Sequence, residues 1–564
     1  MTDALRTRVA ITGGGLVGLM LALFLDRYGI ESVVFNIEDS WHNRPRGATH
    51  NARTMEHYRR LGISGRIRHL GLPADHALDT AYFTRYSGFE LSRLHLQSSG
   101  ERMRALATAP RTDHTPEPTH RANQMYAERF LYEHSRTRPA ITLRFGWRVT
   151  RLKQNAGGVT LQAESVDGRA RETWQAPYAV GCDGGRSFVR RSLGVRDERS
   201  GAAAHHILGR RAVAAQLRLP TFHTKVVAGQ RAFSYWAVNP ELVMNLTTLN
   251  GHDEFHLLAD SADPSTTDAA ELTALVRRAA GMDLPVEVLS HRPWTSDAAT
   301  VAERLTIGRV FLAGDAAHPF PPNGEFGMNT GVDDVANLAW KLAGTLQGWG
   351  GAALLGSYES ERQPIARRNA AAARELATRL ADIERPDQME ADSPEGVRAR
   401  DRAGALLRAY GERTHSIGLQ LGARYDQSPL IDSHEEPPTD SLGTYTPTAI
   451  PGGRAPHVWL DRWRGPGSAI FDRFGAYYTL LRLGPEPPST EGLEATAAAH
   501  GMPLQVIHFE DPDIRELYGR DLVLVRPDQH IAWRGNNLPA SPHDLVARVT
   551  GRLPAGAACG GEVA

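Results

Sequence analysis

Cysteine and lysine are the residues this chain uses least. Of its 564 residues only Cys182 and Cys559 are cysteine. They stand too far apart in sequence to form a disulfide framework or a metal site, and they fit a reducing cytoplasm. Lysine occurs only as Lys153, Lys225 and Lys341, so the positive charge is nearly all arginine, a mark of codon usage that says little about chemistry. An excess of either sign is also missing, since 64 basic residues balance 64 acidic ones. Nucleic acid and anionic membranes call for a basic surface, so neither is expected as the main partner. No apolar run is long enough to cross a bilayer. The longest, residues 16–25, contains Gly18 and stops at Asp26 and Arg27, the pattern of a buried helix. No cleavable signal, membrane segment or metal centre is therefore expected, and the expected location is the cytoplasm.

The rest of the composition is ordinary: 41% hydrophobic, 23% charged and 7% aromatic. A chain of this length holds two or three cores. Residues 8–38 read as strand, glycine turn, helix and strand. Residues 76–120 read as irregular, and 121–195 as alternating helix and strand. Residues 205–300 read as mostly β, with a helix at 269–280. A strand at 305–312 precedes helices at 331–347 and 358–380. The Pro-, Ser-, Thr- and Gly-rich stretch 426–456 reads as a linker. After it, strands at 477–483 and 504–509, a helix at 491–500 and a strand pair at 521–534 make a small α/β domain.

Gly13-Gly14-Gly15-Leu16-Val17-Gly18 matches G-x-G-x-x-G between a strand and a helix. In that setting Gly13 permits the tight turn, Gly15 lets a pyrophosphate reach the backbone, and Gly18 lets helix and strand approach. The helix start at Leu16 and Val17 supplies N–H groups to phosphates. An acid that binds ribose is expected at the end of the second strand, but Asn36 stands there, with Glu38 two residues on. Asparagine can hydrogen-bond a hydroxyl without the strength of a charge.

Two further motifs bear on the cofactor. Residues 305–318 form an apolar strand that delivers Gly314-Asp315, and Asp315 suits sugar-type hydroxyls such as a ribityl chain. Pro321-Pro322 then stiffen the chain, while Gly324, Gly327, Met328 and Asn329 lead into a helix whose N-terminus favours negative charge. Residues 178–195 carry a second strand ending in Asp183-Gly184. Three such motifs in this order and spacing are far more specific than any one of them.

The chain thus resembles the class A flavoprotein monooxygenases, the family of para-hydroxybenzoate and phenol hydroxylases, over residues 8–385. Supporting segments are Asn51-Ala52-Arg53-Thr54-Met55-Glu56, Gln124 with Glu128 and Leu131, Asn337-Leu338-Ala339-Trp340-Lys341-Leu342, and Tyr358-Glu359-Ser360-Glu361-Arg362. Residues 451–457, 474–481 and 524–530 resemble the thioredoxin-like domain appended in phenol hydroxylase relatives. That domain holds no Cys-x-x-Cys here, so packing or dimerisation is its expected job.

The resemblance implies an α/β fold. A Rossmann-type FAD-binding domain of the glutathione-reductase kind (residues 1–75, 121–195 and 300–385) carries an inserted, mostly β substrate domain (76–120 and 196–299). A helical segment and linker (386–450), the thioredoxin-like domain (451–555) and a tail (556–564) follow. It also implies FAD contacts from Arg46, Gln124, Asp315 and Gly327–Asn329, and an FAD- and NAD(P)H-associated role for Asp183-Gly184. The implied activity uses NADPH or NADH and O2 to hydroxylate a phenolic or polycyclic aromatic ring through a C4a-hydroperoxyflavin. Baeyer–Villiger oxygen insertion on the same scaffold and a non-catalytic flavin-binding protein stand as alternatives.

A phenol must be deprotonated for this chemistry, and His50, four residues after Arg46, is the expected base. Glu325 stands where the family commonly has glycine, and a carboxylate there could orient a cationic or hydroxyl-bearing substrate. Tyr235, Trp236 and Pro321 are the expected substrate contacts.

Overall fold

The structure, a computed structural model, describes residues 4–198, 212–261, 263–294, 299–321, 324–415 and 417–552. Pro322, Cys559 and the tail 556–564 lie outside the described residues.

A six-stranded sheet anchors the N-terminal half. Its strand order is Thr306–Ile307, Val310–Leu312, Tyr178–Gly181, Val9–Thr12, Ser32–Asn36 and Ile141–Phe145. All neighbours are parallel except the first pair. Parallel strands need crossovers, and the first of these is the helix Leu16–Arg27, buried along nearly all its length. The helix Phe326–Gln347 lies against it and is itself almost wholly buried.

The second sheet has seven strands, in the order Glu287–Trp294, Ala212–Arg218, Glu254–Asp260, Val243–Thr248, Ser234–Val238, Thr80–Phe83 and Glu90–Leu94. One face is covered by the amphipathic helix Ala269–Ala280, capped by Asp268 and closed by Gly281 in the left-handed region. The other face turns towards the flavin-type domain. The expectation of an irregular 76–120 is corrected here. That stretch holds two strands of this sheet and the helix Ser99–Ala107, which opens on a capping box of Ser98 and Glu101. Four-residue strands leave no periodicity to read, whereas Ser-x-x-Glu was legible.

The C-terminal body is a four-stranded mixed sheet, in the order Leu504–Phe509, Tyr478–Leu483, Leu522–Val525 and Ile531–Gly535. Three helices, Glu491–Ala499, Pro512–Tyr518 and Pro542–Val549, accompany it. It is not hung on a tether. Tyr478, Leu480 and Val549 share one continuous core with Trp340 and Leu354 of the N-terminal half, and the Trp340 and Tyr478 rings meet edge to face at 5.9 Å. In the 386–450 segment the helix Pro394–Thr414 joins the core beside the seven-stranded sheet. Among the described residues no helix is long and apolar enough to cross a membrane, and no group of acidic, His or Cys side chains is placed to hold a metal ion.

Candidate active site

The glycine turn follows Val9–Thr12 directly. Gly13 has φ 108°, and a Cβ there would lie 2.2 Å from the Cys182 carbonyl oxygen. A Cβ on Gly18 would lie 1.9 Å from the Gly13 carbonyl oxygen. Both positions therefore exclude any side chain. Gly15 caps the helix without a side-chain hydrogen bond, and the first turn holds no acidic residue. Its Leu16 N–H donates to Glu128 at 3.2 Å, and Gln124 donates to the same carboxylate oxygen at 2.6 Å. Asn36 accepts from the Gly14 N–H at 3.2 Å and so braces the turn itself. Glu38 turns outward and holds His42 at 3.0 Å.

The other two motifs converge on this turn. A Cβ on Gly331 would touch Gly314 Cα at 2.9 Å and Val17 at 2.7 Å, which is how the 326–347 helix comes so close to the glycine turn. Asp334, on that helix, accepts from the Gly314 N–H, from His318 at 2.6 Å and from Arg362 Nε at 2.8 Å. Asp183 spends its carboxylate on Ser187 Oγ and the Val189 N–H, and burial pushes its pKa up. The neighbouring Gly184, at φ 80°, has open space where a Cβ would be.

The loop before the 326–347 helix is strapped down. Glu325 sits at φ 55°, a left-handed conformation costing on the order of 1–3 kcal/mol for a non-glycine residue. Its carboxylate accepts from the Ala48 N–H at 3.2 Å and from Thr49 Oγ1. Asn329 ties the same parts together. Its oxygen accepts from the Asn51 N–H (3.0 Å) and Thr54 Oγ1 (2.7 Å), and its amide donates to the Thr49 and Glu325 carbonyls.

Between these elements and the seven-stranded sheet lies a cavity of about 340 Å³. Its flavin-type side is lined by Gly15, Leu16, Val17, Arg46, Gln124, Gly184, Asp315, Pro321, Glu325, Gly327 and Met328. The sheet contributes Tyr82, Ser234, Trp236, Asn245, Thr247, His256 and Trp294. The rings of Tyr82 and Trp236 stack there with centroids 6.2 Å apart.

The FAD binding domain family matches residues 6–373, and the aromatic-ring hydroxylase C-terminal family matches residues 448–553. The chain belongs to the FAD-dependent aromatic-ring hydroxylases. A putative polyketide hydroxylase of Streptomyces halstedii is 31% identical over 96% of each chain. The rebeccamycin biosynthetic enzyme RebC, solved with reduced flavin and with bound 7-carboxy-K252c, is 34% identical, with a TM-score of 0.87 over 98% of this chain and all of its own. The flavin-dependent monooxygenase PieE, solved with FAD and substrate, is 26% identical, with a TM-score of 0.85 over 97% of this chain and all of its own. The C-terminal body thus has the thioredoxin-like place that its sequence resembles.

The hydroxylase fits FAD on its own geometry. The helix at Leu16 has no capping side chain at Gly15 and no acid in its first turn, and of its N-terminal N–H groups the Leu16 one meets the Glu128 carboxylate. The space above Gly15 and Gly184 is free of backbone. FAD is the cofactor and aromatic molecules are the substrates of this family.

The geometry corrects two expectations. His50 does not face the cavity. It is fully buried, with Nδ1 at 3.1 Å from Tyr58 Oη and Nε2 at 3.2 Å from the Ala122 carbonyl, and burial holds its pKa down at about 4. The short ladder pairs Thr49 with Arg121 and His50 with His120. Alternation then turns Thr49 and Arg121 to the cavity and both histidines away. In this structure His50, the expected base, packs behind the cavity wall. Tyr235 fails for the same reason. Ser234 and Trp236 face the cavity, while Tyr235 lies on the opposite face in the core, accepting from the Ala232 N–H.

Sequence reasoning missed Arg121, His256 and the wall made by Tyr410, Thr414, His415 and Gln420. His256 Nε2 is buried with no hydrogen-bond partner, and burial lowers its pKa to about 4. Nothing local marks these residues. A two-residue strand and a helix about 290 residues further on meet only through tertiary structure.

Proposed function

We propose that this hydroxylase uses NAD(P)H as reductant and dioxygen as co-substrate to hydroxylate a phenolic substrate of two or more fused or linked rings. The observation that carries this reading is the cavity itself. One space of about 340 Å³ runs from the glycine turn and Asp315 to the aromatic wall of Tyr82, Trp236 and Trp294. A cofactor and a planar substrate would share it. Gly15, Leu16, Val17, Arg46, Gln124, Gly184, Asp315, Gly327 and Met328 are the proposed cofactor contacts, with Gly13, Gly18, Asn36, Asp183 and Asn329 holding their backbone in place. FAD, when bound, supplies the oxygen-activating chemistry. The chain's own task is to hold the ring between Trp236 and the Pro321 loop and to keep water out. His256, whose Nε2 is buried without a partner, is the proposed acceptor of the phenol proton. The 7-carboxy-K252c bound by RebC supports a polycyclic ligand.

The test is NADPH and NADH oxidation by the FAD-loaded protein across a panel of monocyclic and polycyclic phenols, with product mass read under oxygen-18. Substrate-stimulated oxidation and one labelled ring hydroxyl are expected. Stimulation by monocyclic phenols alone would remove the polycyclic assignment, and label beside a former ketone would shift it to Baeyer–Villiger insertion.

A further inference from the structure

Arg121 is an unusual resident of an aromatic cavity. It is 5% exposed, and its guanidinium lies over the Phe233 ring at 4.2 Å. Nη1 donates to Thr49 Oγ1 at 3.0 Å, and Nη2 donates to His415 Nε2 at 2.6 Å. Nε is buried with no partner. Because His415 Nε2 accepts from a permanent cation, the imidazole proton sits on Nδ1, which faces the Gly411 carbonyl at 2.9 Å. The imidazole is therefore neutral.

The charge around Arg121 does not balance. Glu325 is the carboxylate facing it, at 3.6 Å and beyond direct hydrogen-bond reach. That carboxylate is already engaged by the Ala48 N–H and Thr49 Oγ1. Behind Arg121 stands a second cation, Arg102, whose guanidinium donates to the Thr119 carbonyl. Glu117, four residues before Arg121 in the chain, is taken by Arg59 and Arg68. His120 and His415 are held neutral by burial. Burial outweighs the pull of Glu325 on Arg121 and holds its pKa below the ordinary value. A buried cation so incompletely matched is stabilised by any further anion that reaches it.

We propose that Arg121 is a specificity-determining residue that receives an acidic oxygen of the aromatic substrate, a carboxylate or an ionised phenol, at the end of the cavity walled by Phe233 and His415. Glu325 competes with that oxygen for the same guanidinium, and Thr49 relays the competition by accepting from Arg121 while donating to Glu325. The assignment rests on the cavity being the aromatic substrate site.

The experiment is calorimetric binding to the FAD-loaded protein, using 2-naphthoic acid, its methyl ester, 2-naphthol and the more acidic 1-nitro-2-naphthol as probes. The acid is expected to bind about tenfold more tightly than the ester, the scale of one charge-assisted hydrogen bond. Tighter binding of the nitronaphthol than of 2-naphthol would show that a phenolate serves as well; tighter binding of the acid alone would limit the site to carboxylates. Arg121→Gln removes the preference for the acid and leaves the ester nearly unchanged. Glu325→Gln, made in a chain that keeps Arg121, strengthens acid binding severalfold and not ester binding. Arg121→Lys retains part of the preference, which covers the case in which the Gln variant does not fold. Equal weakening of acid and ester by Arg121→Gln, or no acid-specific gain in Glu325→Gln, overturns the assignment while leaving the aromatic cavity intact. If none of the probes binds, the aromatic reading of the cavity falls and Arg121 with it.

Discussion

Two buried charge clusters use the same residue types in this molecule and end differently. At the joint between the C-terminal body and the flavin domain, Glu361 accepts from Lys341 Nζ (2.6 Å), Arg526 Nη1 (2.7 Å) and Ser428 Oγ (2.5 Å). Asp528 accepts from Arg526 at 2.6 Å and from Trp340 Nε1 at 3.2 Å. A second arm of the joint pairs Glu56 with Arg454 and with Arg53. Each of these charges meets its opposite with hydrogen-bond geometry, Glu56 doing so beside a second cavity of about 290 Å³ that Arg59, Arg60 and Asp472 also line. At the cavity wall, Arg121 has one distant carboxylate and an unpartnered Nε. A closed network fixes two bodies against each other, whereas an open one leaves a place for a ligand to complete.

Breaking the closed cluster should have the largest effect. Arg526→Ala takes from the buried Asp528 its charged partner and leaves Glu361 with Lys341 and Ser428, and a loss of about 3–5 kcal/mol in unfolding free energy is expected from denaturant titration. Stability equal to the unaltered protein would erase the distinction between the clusters. Gly18→Ala, whose Cβ would meet Gly13 O at 1.9 Å, is expected to give protein purified without FAD. Normal flavin absorbance in that variant would remove the glycine turn from cofactor binding.

Acid sharpens the comparison. His50 and His415 are lowered from 6.5 to about 4 by burial. Their folded values lie below the unfolded ones, so the unfolded chain binds more protons between these limits. The stability they contribute is complete above pH 6.5 and is lost as the pH falls towards 4. Glu56, held at about 2 instead of 4.5 against burial by Arg454 and Arg53, adds a second loss only below pH 4.5. Denaturant midpoints should therefore fall in two stages, and a flat midpoint between pH 6.5 and 4.5 would contradict the neutral histidines. His50→Gln should shrink the first stage, leaving the share of His415, while hydroxylation changes by no more than about twofold. A large fall in coupled turnover would restore His50 as a base. Tyr235→Phe should lower stability by only ~1 kcal/mol, leaving probe affinity untouched, whereas Trp236→Ala should weaken probe binding.

Much of the frame was legible in the residues. The helices Leu16–Arg27 and Ala269–Ala280 and the strand Leu504–Phe509 carry periodicity and end signals of their own. The 326–347 helix starts five residues before the expected position at Gly331, because Gly327 and Asn329 read as loop residues ahead of it. The wall from 394 to 420 read as a helical segment without an assigned partner, since an Arg- and Gly-rich amphipathic segment declares none.

What the sequence by itself determined was the cofactor frame. Gly18 is fixed within the turn itself, where a Cβ would meet the Gly13 carbonyl, and Gly13, Gly184 and Gly314 each hold a positive φ that favours glycine whatever surrounds them. Only the tertiary structure decided which residues line the cavity. In the pairs Thr49 and His50, and Tyr235 and Trp236, one neighbour faces the cavity and the other the core. That choice is made by the register between strands far apart in sequence, and a shift of one residue reverses it.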